Sequence, residues 1–273
     1  MLSFPNAKIN LGLNIIRKRE DGYHDLETVF YPVAGLRDAL EIIHGSEEQT
    51  LKFTQTGLSI SGDTNNNLCI KACHLLKKDF PSLPPIQMHL HKVIPMGAGL
   101  GGGSADGAFT LSMLNKQFGL AIPESSLLEY ALQLGSDCPF FILNKPAYAT
   151  GRGERLSNIE LDLSEYQFVL VNPGIHVPTG WAFSQIKPDQ AIFNCKTIVQ
   201  QPIETWQDKL TNDFEIPVMK AYPEIGAIKK QLQEQGALYA AMTGTGSTVF
   251  GIFPKNVLLD LKFPAHYYLF QGN

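Results

Sequence analysis

Residues 95–104 read Pro95-Met96-Gly97-Ala98-Gly99-Leu100-Gly101-Gly102-Gly103-Ser104, five glycines in seven positions and then a serine. Such a stretch makes a poor helix or strand interior, because each glycine lacks the Cβ that packs and restrains those elements. It follows an alternating strand pattern, Ile86, Met88 and Leu90, and precedes an amphipathic helix expected from about Ala105 to Phe118. A bare turn between strand and helix lets consecutive backbone N–H groups converge on one point, and the positive end of the helix faces the same point. The stretch Pro95, Met96, Gly97, Ala98, Gly99, Leu100, Gly101, Gly102, Gly103, Ser104 and Ala105 is therefore a candidate phosphate cradle. Its Ser104 hydroxyl suits a phosphate oxygen or a phosphate-bound Mg2+.

Three readings of the stretch compete. It is not a Walker A loop, since no Gly-Lys-Ser/Thr follows. Gly97, Gly99 and Gly102 match G-x-G-x-x-G, but a dinucleotide site also needs an acid-ended strand about 20 residues further on. There, Pro123 opens another helix with a stripe of Leu127, Leu128, Ala131 and Leu134, stopped by Gly135. The third reading is a purely structural turn; five glycines and a serine at a helix start favour phosphate. Lys92 and Asn67 are further nucleotide candidates. Lys92 can reach a phosphate or ribose, or be a solvated strand residue; Asn67 can meet the nucleotide, or only cap the helix that begins after it.

Along the rest of the chain, 7–15 alternates, with Ile9, Leu11 and Leu13 facing one way and Lys8, Asn10 and Gly12 the other. Further strands are expected at 27–33, 39–44, 168–171, 239–242 and 248–253, and a helix from Pro223 to a stop at Gly236. The turn Thr243–Ser247 is expected beside the glycine loop, since glycine allows close approach. Asp137 is expected at a helix-to-strand junction. Strands and helices in runs, without strict alternation, give α+β. The loop-rich 146–165 suggests a boundary, dividing the chain into an ATP-binding domain at 1–152 and a C-terminal domain at 153–273.

A hydrophobic fraction of 44% permits a real core, and a net charge of −4 leaves no excess of cations for nucleic acid or an anionic membrane. No apolar run approaches a membrane span of roughly 18 residues, and the start does not read as a signal peptide. Cys69, Cys73, Cys138 and Cys195 are scattered, as expected of reduced thiols in a cytoplasmic protein. His89 and His91 share a strand face, with no carboxylate evident to complete a metal site.

At the glycine loop the chain resembles the GHMP kinases, the galactokinase, homoserine, mevalonate and phosphomevalonate kinase superfamily. Other segments agree in order: Ala7-Lys8-Ile9-Asn10-Leu11-Gly12-Leu13; Asp21-Gly22-Tyr23-His24 with Thr28-Val29-Phe30; Leu134-Gly135-Ser136-Asp137-Cys138-Pro139-Phe140-Phe141; Pro178-Thr179 with Phe183; Asn212-Asp213-Phe214-Glu215; and Thr243-Gly244-Thr245-Gly246-Ser247. The resemblance implies a two-domain fold, with an N-terminal domain like the second domain of ribosomal protein S5 and a ferredoxin-like C-terminal domain. It implies an ATP- and Mg2+-dependent small-molecule kinase of non-mevalonate isoprenoid precursor biosynthesis. The acceptor would be a cytidine-diphosphate-linked sugar alcohol, and the protein a monomer or homodimer.

The same resemblance implies roles for single residues. Asp137 is the general base and Lys8 the cation that keeps it charged and stabilises transfer. Asn10 lies near the acceptor hydroxyls. Tyr23 and Phe183 sandwich the pyrimidine, His24 runs along the cytosine edge, and Thr179 lies near base or ribose. Two residues depart from the family pattern: Gly107, where alanine is common, and Arg152, where an apolar residue can stand. Gly107 should loosen its helix by roughly 1 kcal/mol.

Overall fold

The structure, a computed structural model, describes residues 1–47, 49–59, 63–188 and 193–272. In chain order the strands are β1 (Leu2–Ser3), β2 (Asn6–Lys18), β3 (His24–Arg37), β4 (Ala39–His44), β5 (Leu51–Gly57), β6 (Ile86–Lys92), β7 (Ala147–Gly151), β8 (Arg155–Asn158), β9 (Tyr166–Asn172), β10 (Tyr239–Met242), β11 (Val249–Pro254) and β12 (Tyr268–Gly272). The helices are α1 (Leu68–Asp79), α2 (Gly102–Gln117), α3 (Glu124–Leu134), α4 (Cys138–Leu143), α5 (Thr179–Ser184), α6 (Cys195–Ile198), α7 (Glu215–Ala221) and α8 (Pro223–Glu234). Contacts group them into two units. One comprises Met1–Ala7, Leu36–Met96 and Gly101–Lys145; the other comprises Lys8–Gly35, Gly97–Leu100 and the chain from Pro146 onward.

In the first unit a sheet of order β1-β4-β6-β5 carries the helices α1 to α4. β4 runs antiparallel to β6 and β5 parallel to it, with Leu40 opposite Leu90 and Ile42 opposite Met88. The alternation read from Ile86, Met88 and Leu90 holds, and all three are buried. On the other face of β6, His89 bonds the Thr54 and Thr56 hydroxyls and His91 bonds Thr56, forming a polar ladder with β5. α1 turns Cys69, Ile70, Ala72, Cys73 and Leu76 inward at helical spacing. Asn67 caps it, its side chain accepting from the Cys69 N–H at 2.8 Å.

The second unit holds two sheets, of orders β2-β3-β7-β8 and β10-β11-β9-β12. β9 is central in the latter, antiparallel to both β11 and β12. Ile225, Ile228 and Leu232 of α8 join Val169, Val171, Val249, Leu13 and Ile15 in one core.

Three expectations change. Region 146–165, read as loop, holds the β7–β8 hairpin; β7 pairs Ala149 with Thr28 and Ala147 with Phe30. The buried positions of β7 are Ala147, Ala149 and Gly151, too small to give an apolar strand signal. Asp137 does not lead into a strand: α4 begins at Cys138. Both faces of β2 are buried, Lys8 and Asn10 along with Ile9 and Leu11. α2 also starts at Gly102, ahead of the expected Ala105, because N–H groups in a first turn need no intrahelical partner. The four cysteines are buried free thiols.

Candidate active site

Gly101 stands at the cap of α2 with φ +69°, so no cap side chain takes the first N–H groups of α2, the groups that suit an anion at a helix start. The strand-to-helix connection beneath is held by an ionic cluster in the same unit. Lys92 Nζ bonds Asp38 Oδ2, and Asp106 Oδ2 at 2.8 Å, all three side chains being buried. Asp38 Oδ1 accepts the N–H groups of Val93 at 2.6 Å and Ile94 at 2.9 Å. One carboxylate thus fixes the exit of β6 and the lysine that reaches under α2. Burial lowers the Lys92 pKa, but Asp106 and Asp38 outweigh it and the net shift is upward. Burial pushes the Asp106 carboxyl up to about 8 against the pull of Lys92, and Asp106 Oδ1 has no hydrogen-bond partner among the described residues. The cluster thus favours the charged form of Lys92, while burial favours the protonated form of Asp106.

The segment Gly97–Leu100 packs within the second unit. Lys8 N donates to Leu100 O at 2.9 Å, and Lys8 Nζ to Gly99 O at 3.0 Å and to Asn10 Oδ1 at 2.7 Å. The ammonium also lies over the Phe30 ring, 5.1 Å from its centroid. Asn10 Oδ1 further accepts from Thr243 Oγ1 (3.1 Å) and Gly244 N (3.0 Å), while its amide donates to Thr28 Oγ1. Thr248 N donates to Ala98 O at 3.3 Å. The turn 243–247 thus packs against the glycine segment, as the sequence suggests.

In the first unit Ser104, on the opening turn of α2, hydrogen-bonds the thiol of Cys138, the residue after Asp137. Burial above all pushes that thiol up to about 12. Phosphate-loop hydroxyl and Asp137 segment are thereby tied together. Asp137 is half-buried at the cap of α4, where its side chain does not cap the helix.

Across β2–β3, the turn bearing Tyr23 and His24 is cross-linked. Arg19 N donates to Tyr23 O (2.8 Å), Tyr23 N to Asp21 Oδ1 (3.1 Å), and the Arg19 guanidinium pairs with Asp21 and Asp25. The ring expected opposite Phe183 is Tyr23; the ring found on Phe183 is His24, stacked at 4.9 Å with a 27° tilt. Phe183 meets Phe214 edge-on at 4.9 Å. Burial, then Lys18, holds the His24 pKa below its ordinary value, leaving a neutral ring with one donor and one acceptor. Thr179 is exposed in the first turn of α5, one helix turn before Phe183. Tyr23, 54% exposed, lies under the Arg152 guanidinium.

Residues 67–145 match the GHMP kinases N terminal domain, and residues 196–261 match the GHMP kinases C terminal. A Bacteroides fragilis protein described as a 4-diphosphocytidyl-2-C-methyl-D-erythritol kinase is 52% identical over 97% of each chain. The chain belongs to the GHMP kinases. A relative of the same description from Porphyromonas gingivalis is 41% identical over 95% of this chain and 94% of its own. A crystal structure of 4-(cytidine 5'-diphospho)-2C-methyl-D-erythritol kinase superposes with a TM-score of 0.80 at 31% identity, covering 92% of this chain and 90% of that one. The Methanococcus jannaschii mevalonate kinase shares the fold, with a TM-score of 0.71 at 14% identity. The α+β, two-domain GHMP kinase fold is thus that of this chain.

Within this GHMP kinase, the structure joins Lys8, Asn10 and Gly99 in one unit and Ser104 with the Asp137 segment in the other. Lys92 is neither solvated nor exposed to a ligand; it is a core ion-pair member. The signal was present, since period two puts Lys92 on the same face as Ile86, Met88 and Leu90. Asp38 and Asp106 were missed because a lone aspartate carries no sequence mark of its partner.

Proposed function

We propose that this GHMP kinase transfers the γ-phosphate of ATP to the 2-hydroxyl of 4-diphosphocytidyl-2-C-methyl-D-erythritol, in non-mevalonate isoprenoid precursor biosynthesis in the cytoplasm. The observation that carries the reading is the aromatic group of Tyr23, His24 and Phe183 on one unit, with His24 stacked on Phe183 at 4.9 Å. Mevalonate and homoserine offer no base to such a group. The names of the relatives agree with it.

Residues 95–105 hold the triphosphate through backbone N–H groups and the α2 dipole. Lys92 supports that loop from below and Asn67 supports α1; neither need touch the nucleotide. Asp137 accepts the proton of the acceptor hydroxyl. The oxygen's electron pair forms the new bond to phosphorus, the bond from phosphorus to the bridging oxygen breaks, and ADP leaves with that pair. Lys8 stabilises the charge gathered in this step. Asn10 orders the hydroxyl side by holding Lys8, and Tyr23, His24, Thr179 and Phe183 hold the cytidine. Reading a cytosine edge discriminates strongly, because the wrong base leaves buried groups unpaired.

Among the described residues no group of three His, Cys, Asp or Glu forms a metal site. Mg2+ fits as an ion arriving with the triphosphate and meeting the Ser104 hydroxyl, where it would neutralise phosphate charge. The division into an ATP-binding domain at 1–152 and a C-terminal domain at 153–273, and a monomeric or homodimeric state, belong to the same proposal.

A coupled ADP-release assay tests it. Turnover should appear with the cytidine-linked acceptor and not with mevalonate or homoserine, and CMP and CDP should compete with the acceptor. Turnover with mevalonate and none with the cytidine compound would refute the reading.

A further inference from the structure

The connection between β7 and β8 is built around one side chain. Gly153 N donates to Thr150 O at 3.1 Å, closing a tight turn, and Glu154 Oε2 accepts the Arg152 N–H at 2.5 Å. The Arg152 guanidinium lies over the Tyr23 ring, 4.7 Å from its centroid. The turn opposite is equally fixed: Arg19 N to Tyr23 O, Gly22 N to Arg19 O, and Tyr23 N to Asp21 Oδ1. Two pinned turns therefore meet through a planar cation and a ring.

The charges around this contact are not alike. Arg17 pairs with Asp25, and Arg19 with Asp21 and Asp25. Among the described residues the Arg152 guanidinium is in no ion pair; the Tyr23 ring is its stacking partner, and its charge also acts on Asp21, helping the Arg19 hydrogen bond to hold that carboxyl below its ordinary pKa. Guanidinium stacks on an aromatic face in a way that ammonium does not. An aromatic this exposed usually moves; one face of this ring is covered and the turn beneath is cross-linked, so the other face is held out for a flat ligand.

We propose that Arg152 is a positioning residue for the acceptor, fixing the Tyr23 ring in the attitude on which a nucleoside diphosphate stacks its base. This rests on Tyr23 binding the cytidine. Arg152 acts through the ring, so its effect is the same for CMP and CDP. Its removal weakens binding of base and acceptor without altering transfer.

The test is calorimetry of CMP and CDP with the full chain, beside steady-state kinetics, for wild type, Arg152→Ala, Arg152→Lys, Tyr23→Ala and the Arg152→Ala/Tyr23→Ala double variant. Arg152→Ala should raise the acceptor KM and both nucleotide Kd values by about three- to thirty-fold. The kcat and the KM for ATP should not move. Arg152→Lys, which keeps the charge and loses the plane, should recover only part of the affinity. In the Tyr23→Ala background the second substitution should add nothing. Unchanged Kd values in Arg152→Ala overturn the proposal while leaving the cytidine reading intact. A loss for CDP alone, or a full loss persisting without Tyr23, overturns it by making Arg152 a direct ligand of the phosphates. Absence of CMP and CDP binding in wild type removes the cytidine reading and this proposal together.

Discussion

The carbonyl oxygen of Thr243 stands where a side chain on Gly99 would begin, and the Thr243 hydroxyl lies 3.1 Å from the Gly99 carbonyl, sharing its one proton between that carbonyl and Asn10 Oδ1. With φ at +79°, residue 99 is both left-handed and in backbone contact. Gly99→Ala would add strain of about 1–3 kcal/mol and a collision with backbone that no rotamer relieves. The Lys8 ammonium bound to the same carbonyl would move with it. ATP affinity should fall at least tenfold and the melting temperature should drop. Calorimetry with a non-hydrolysable ATP analogue checks this, and a variant of unchanged affinity would show the close approach to be incidental.

Asp106 gives a pH dependence of definite sign. Its carboxyl is raised from 3.8 to about 8 in the folded protein, so between those values the folded chain keeps a proton that the unfolded chain has lost. Stability must then fall as pH rises across that window. Asp106→Asn, which cannot ionise, should flatten the decline. Urea midpoints from pH 5 to pH 9 for both proteins test it; parallel curves would contradict a proton held on Asp106.

Gly107 departs from the usual alanine for a reason found in packing. A Cβ there would lie 2.8 Å from Leu68 Cβ at the start of α1. Helix propensity alone predicts a gain of roughly 1 kcal/mol for Gly107→Ala. Overpacking costs about 1–3 kcal/mol, and a Cβ cannot rotate away, so packing wins. Thermal denaturation should show the alanine variant melting lower; a higher melting point would mean that α1 and α2 part freely.

Glu27 is a buried carboxylate held by hydrogen bonds in place of a cation. Oε1 accepts from the Asn14 amide (2.8 Å) and Cys195 N (3.2 Å), and Oε2 from Tyr148 OH (2.7 Å) and the Asn194 amide (2.6 Å). Glutamine would turn an acceptor into a donor facing donors. Glu27→Gln should cost about 1–3 kcal/mol, read from urea denaturation, and a neutral result would mean that α6 is not anchored through this group.

Much of this fold is legible in the sequence, and the exceptions have physical causes. The glycine loop reads plainly because nothing but close approach or anion binding asks for five glycines. The helices after Asn67 and Pro123 read from their caps. β7 does not, since Ala147 and Ala149 bury too little apolar area to mark a strand. Lys8, Asn10 and Lys92 are polar residues on buried faces, and alternation tells which face a residue takes but not whether that face is wet. The stack of His24 on Phe183, and of Arg152 on Tyr23, joins residues far apart in the chain across turns closed by their own local hydrogen bonds, and neither periodicity nor composition marks such a meeting.

The most direct test of the account is the ADP-release rate of Asp137→Asn with the cytidine-linked acceptor, measured beside its affinity for an ATP analogue. The substitution keeps size and removes the base. The account predicts a fall in kcat of about 10²–10⁴ with nucleotide affinity unchanged. A near-normal kcat would contradict it.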